Sequence, residues 1–241
     1  MDVNMIDHKL KVSREYGGWI STILIFGLTI GIVIIKRGNI IDSIIFWIPI
    51  FLGISIFDAN IRNITNDKYV IAILFIATII GVLSILIDFL FLITYLLFLI
   101  IFFSRPYFKK IRKTYINTAL GMIALVLSFF ITLHFAGINA AFFSIALLGY
   151  MIGAEFTVSS FLHKSKQLLA YNIVPVFFIL LNPFYLIFSI SLLRIALTIK
   201  SDKLKYVGIG ESIFLLVIVV YVIILSLLGI NLVQISSVFF R

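Results

Sequence analysis

Long apolar runs, separated by short polar segments, dominate this chain. Gly18–Ile35, Ser43–Phe57, Tyr115–Ala136, Asn139–Leu162 and Val207–Leu228 approach the ~20 residues an α-helix needs to cross the hydrocarbon of a bilayer. Two further runs are too long for one crossing. Residues 69–103 carry Asp88 near the middle, and residues 168–199 are broken by Asn182-Pro183, where a helix ends and the chain turns. Dividing both gives nine helices. The pattern predicts an all-α polytopic transmembrane helical bundle, a single integral membrane domain over residues 1–241 with a short cytoplasmic N-terminal segment, 1–17.

Composition agrees. Of 241 residues 63% are hydrophobic and 12% charged, about half the share of charge that coats a soluble domain. Mean hydropathy is +1.24. The absence of cysteine excludes disulfides, thiolate chemistry, iron–sulfur clusters and Cys-type zinc sites. No soluble domain exists to present the net charge of +9 to nucleic acid, so topology and anionic headgroups account for it. With nine helices, fifteen of the nineteen basic residues fall on one side, and only Lys36, Arg37 and Arg241 on the other. That bias places the N-terminus in the cytoplasm and the C-terminus outside the cell membrane. Tyr16, Trp19, Tyr69, Tyr107, Tyr115, Tyr171 and Tyr206 all fall at cytoplasmic ends, at headgroup level. No cleavage site follows the start, so the first span is expected to be retained.

Two polar stripes close spans at the inner face. FDANIRNITNDK puts Asp58, Arg62 and Asn66 at i, i+4 and i+8, with Asn63 beside them; Glu155, Ser159 and His163 repeat the spacing. An ionisable residue inside a membrane points to a functional site with a named partner, here Arg62 for Glu155. The same groups serve equally as interhelical glue. The run Arg105–Lys113 adds Lys109 and Lys110, suited to anionic headgroups or a diphosphate. The candidate ligand-binding set is therefore Asp58, Arg62, Asn63, Asn66, Glu155, Ser159, Lys109 and Lys110, with no metal assigned. Arg194, about a turn inside the eighth span, is expected to snorkel to the headgroups. His134 reads as structural. Gly27/Gly31 and Gly149/Gly153 are GxxxG matches, read as internal packing. Phosphate-loop, zinc-protease, serine-hydrolase and dinucleotide motifs are absent.

SREYGGW at 13–19, EFTVSSFLHKSK at 155–166 and KLKYVGIGE at 203–211 resemble the YwiC-like family of integral membrane proteins. Members usually carry a histidine where this chain has Tyr16. In layout the chain also resembles the UbiA prenyltransferase superfamily: nine helices, an inner N-terminus and polar motifs closing spans two and six. That resemblance implies a prenyl diphosphate held through magnesium by aspartates repeated every four residues. Carried over by position, the motifs fall on Asp58 and Arg62, and on Glu155 and Ser159, leaving one carboxylate at each. Arg62 sets a fixed positive charge where a magnesium ligand would stand. The expectation is a cytoplasm-facing cavity for an anionic amphipathic ligand, an isoprenoid or lipid headgroup, without standard magnesium-dependent prenyl transfer. A remodelled prenyltransferase, and a carrier or structural subunit of a membrane complex, are the alternatives. Membrane lipids are the expected partners; no cofactor or protein partner is read from the chain.

Overall fold

The computed structural model describes residues 16–52, 79, 114–163, 166–180, 182–200 and 204–230. Every regular element among them is helical: α1 (Tyr16–Ile35), α2 (Ile40–Leu52), α3 (Thr114–Phe135), α4 (Ala141–His163), the 3₁₀ helices η1 (Lys166–Leu180) and η2 (Pro183–Ile190), α5 (Ser191–Lys200), which continues η2, and α6 (Leu204–Leu227). Two stretches, Ala141–Phe161 and Tyr206–Leu227, are long and apolar enough to cross a membrane. The expected breaks at Gly137-Ile138-Asn139 and Asn182-Pro183 are where the chain turns.

The turns share one construction. α1, α3 and α6 end with Arg37, Gly137 and Gly229 at φ 58, 77 and 79. In each, the next amide reaches back five residues: Gly38 to Val33 (2.8 Å), Ile138 to Leu133 (2.8 Å), Ile230 to Leu225 (2.9 Å). This left-handed cap satisfies carbonyls that the helix end would leave bare. Asparagines then start the following helices. The Oδ1 atoms of Asn39, Asn139 and Asn182 accept from the amides of Ile41 (3.1 Å), Ala141 (3.3 Å) and Phe184 (2.9 Å).

The connection from α4 to α6 winds tightly. At about 2.0 Å rise per residue the fifteen residues of η1 extend about 30 Å, and η2 with α5 about 31 Å, each close to the hydrocarbon thickness. A three-residue turn stacks every third side chain. Leu169, Asn172 and Pro175 form one buried stripe, and Tyr185, Phe188, Ser191 and Arg194 another. Gly149 and Gly153 of α4 admit η1: a Cβ at Gly149 would meet Phe178 at 2.9 Å, and one at Gly153 would meet Asn172 Oδ1 at 3.0 Å. Gly31 faces Ile223, whereas Gly27 has nothing within 4 Å. The expectation of internal packing thus holds for three of these four glycines.

The core is aromatic where α3, α4 and η2 meet. Phe143 lies 5.7 Å from Phe129, 6.0 Å from Tyr185 and 5.8 Å from Phe188, ring centre to ring centre. His134 stacks on Phe130 at 6.1 Å, near the end of α3. A second cluster, Phe26, Trp47 and Phe51, joins α1 to α2. Outward, α6 presents Ile209, Ile213, Leu216, Val220, Ile224 and Leu227, each at least 46% exposed, as one apolar stripe. Gly38 abuts Ala136, so α2 begins beside the end of α3 and runs antiparallel to it. Leu52 and Thr114 accordingly stand at the same end of the bundle.

Candidate functional site

The polar heart of the described structure is an ion pair that the sequence reading did not anticipate. Arg194 was expected to snorkel to the headgroups; it is instead 0% exposed and donates from Nε to Glu211 Oε2 at 2.6 Å. The physical reason is register. Arg194 prolongs the buried stripe of Tyr185, Phe188 and Ser191, so its stem enters the bundle, where α6 offers a carboxylate.

The guanidinium is held on three further sides. Nη1 donates to the Tyr150 carbonyl (2.8 Å) and to Asn172 Oδ1 (3.3 Å), and the Tyr150 ring centre lies 3.8 Å from its carbon. Asn172 Nδ2 donates to Thr157 Oγ1 (2.8 Å) and to the Leu169 carbonyl (3.2 Å). Ser191 Oγ donates to the Asn172 carbonyl at 2.7 Å, and Thr157 Oγ1 to the Gly153 carbonyl at 2.9 Å. Four elements (α4, η1, α5 and α6) are tied through this network. The small side of Gly153 makes room for it, since a Cβ there would also stand 3.3 Å from Arg194 Nη1.

The network is incomplete on one side. Arg194 Nη2, Glu211 Oε1 and Tyr150 Oη are buried without a hydrogen-bond partner among the described residues. All three residues line a cavity of about 80 Å³, together with Glu155, Ser21 and Ser212. That volume exceeds what one water needs. The cavity is amphipathic: Met122, Met151, Val158 and Leu215 complete its wall.

Two of the eight expected site residues fall within the described structure. Glu155 lines this cavity beside Arg194 and Glu211. Ser159 is buried, one turn further along α4. Asp58, Arg62, Asn63, Asn66, Lys109 and Lys110 lie outside the described residues, and with them the expected Glu155–Arg62 pairing. Glu211 was available to sequence reasoning: it is a carboxylate inside the last apolar run, as Arg194 is the one cation inside any run. Charges in that setting pair with each other.

The cavity sits near one end of the bundle. Glu155 precedes the end of α4 at His163, Arg194 precedes the end of α5 at Lys200, and Glu211 follows the start of α6 at Leu204, each by about two turns or slightly less. Tyr171 and Tyr206, both about half exposed, belong to the same end. Among the described residues no group of three or more His, Cys, Asp or Glu could hold a metal. An apolar groove of about 270 Å³ between α3 and α4, with Ser144 its one polar residue, lies apart from this network. No protein-family model, no curated protein and no solved structure matches this chain.

Proposed function

We propose that this chain is a multi-pass membrane protein of YwiC-like type whose cavity receives the polar head of an anionic amphipathic ligand, an isoprenoid or a lipid. The carrying observation is a cavity that combines apolar walls with a buried guanidinium whose Nη2 has no partner among the described residues. A cation buried in an apolar bundle is retained at a cost of several kcal/mol, which its interactions must offset. The apolar wall suits the chain of an amphiphile, and Nη2 suits an oxygen of its head.

Orientation and span number belong to the same reading. Lys166 opens η1, Lys200 closes α5 and Lys205 is the second residue of α6, all at the cavity end, which supports reading that end as the cytoplasmic one. The nine helices of a UbiA-like layout, counted from the apolar runs, are part of the same proposal. The charge bias of the sequence assigns Arg62, Lys109 and Lys110 to the cytoplasmic side in this proposal. The single carboxylate that the UbiA-like carry-over leaves at each motif position supports a reading without standard magnesium-dependent prenyl transfer.

The test is lipid analysis of the full-length protein purified in a mild detergent. One anionic amphiphile is expected to be enriched over its share of the membrane extract, and depleted in Arg194→Met. A folded wild-type protein that retains only bulk lipid in bulk proportions overturns the reading.

A further inference from the structure

The Arg194–Glu211 contact is half of a fork. A guanidinium and a carboxylate in full register make two parallel hydrogen bonds, from Nε and from Nη2, to the two oxygens. Here Nε reaches Oε2 at 2.6 Å, while Nη2 and Oε1 both lack a partner among the described residues. The two residues joined by that bond therefore leave one donor and one acceptor open. Tyr150 Oη, able to donate or accept, is a third unpartnered group on the same cavity.

What closes this leg must accept from Nη2 and donate to Oε1. Phosphate diesters and carboxylates accept without donating, and ammonium groups donate without accepting. A hydroxyl does both at one atom. Arg194 and Glu211 already neutralise each other, so a neutral group closes the leg without adding charge to a desolvated site. Tyr150 Oη supplies a second contact for the same hydroxyl or its neighbour.

We propose that this open leg recognises a hydroxyl on the ligand's head, which makes the anionic lipid of the reading above a polyol-headed one of the glycerol type. The inference rests on the lipid-binding reading above and names the group that reading leaves open.

Native mass spectrometry of the full-length protein, titrated with phosphatidylglycerol and with phosphatidylethanol, tests it. The two lipids carry the same phosphodiester charge, and only the first has headgroup hydroxyls. A hydrogen bond to a charged group corresponds to about tenfold or more in affinity, so phosphatidylglycerol is expected to bind tighter by that factor. Glu211→Gln, which places an amide at the acceptor position, is expected to abolish the preference. Tyr150→Phe, which keeps the ring against Arg194, is expected to reduce it several-fold and serves should the first variant fail to fold. Equal binding of the two lipids by the wild type overturns the hydroxyl inference and leaves the anionic-lipid reading standing. So does a preference undiminished in whichever variants fold. Binding of neither lipid overturns both. Free glycerol that abolishes the phosphatidylglycerol preference when added in excess supports the hydroxyl as the recognised group. Glycerol that stabilises the protein while both lipids bind equally assigns the site to a free polyol and overturns the lipid assignment.

Discussion

Removing one partner of the Arg194–Glu211 pair is expected to cost more than removing both. In Glu211→Leu the guanidinium keeps its bonds to Tyr150 and Asn172 but loses its counter-charge at a position with 0% exposure. Breaking a buried pair from one side costs about 3–5 kcal/mol. Arg194→Met should fall at the lower end of that range, because the Glu211 side chain keeps 13% exposure. The double variant removes both charges, a change that is often near neutral, and leaves chiefly Asn172 Oδ1 to be satisfied, at about 1–3 kcal/mol. It should therefore be more stable than Glu211→Leu by about 2 kcal/mol. Reversible unfolding in mixed micelles, followed by the fluorescence of the two tryptophans, measures the cycle. Interhelical hydrogen bonds in membrane proteins average about 0.6 kcal/mol. A Glu211→Leu loss no larger than that, or a double variant less stable than the single, would refute the claim that the pair is desolvated.

Other outcomes follow from local geometry. Gly153→Val should unfold or loosen the η1 contact, since its Cβ starts 3.0 Å from Asn172 Oδ1 and 3.3 Å from Arg194 Nη1; Gly27→Ala, with nothing within 4 Å, should stabilise by about 0.5–1 kcal/mol, and thermal melts compare the two. Arg37→Gly should raise stability by about 0.5–1 kcal/mol in the same assay, because φ 58 strains a side-chain-bearing residue and suits glycine. Asn182→Ala should cost about 1 kcal/mol through loss of the cap on the Phe184 amide, measured by the micelle unfolding above. The chain has no cysteine, so Asn139→Cys and Gln167→Cys report the two ends of the bundle. An impermeant maleimide should label the first in intact cells and the second only after permeabilisation, and the reverse result inverts the orientation.

The ends of α1, α3, α4 and α6 could be read from hydrophobic run lengths and from turn residues, because both are local properties. Apolar runs set how far a helix extends, and the left-handed positions at Gly137 and Gly229 need only the residue present there. Asn182-Pro183 likewise stops η1 by its own chemistry, an oxygen that caps and a ring that fixes the next turn. Glu155 could be singled out because a carboxylate in an apolar run is conspicuous wherever the helix points. The partner of Arg194 was a different kind of question. Its answer depended on the winding of the preceding segment. An α-helical pitch through residues 183–194 would turn successive stripe residues away from one another, whereas the observed three-residue turn over η2 aligns Tyr185, Phe188 and Ser191 ahead of Arg194. That pitch is stabilised by packing of η1 and η2 on α4, through contacts between residues far apart in sequence such as Gly153 and Asn172. Composition and periodicity carry the membrane-like character and the boundaries of these helices. Which charge meets which, and the half-open fork that results, arises only when four helices close around one guanidinium and each excludes water from the others.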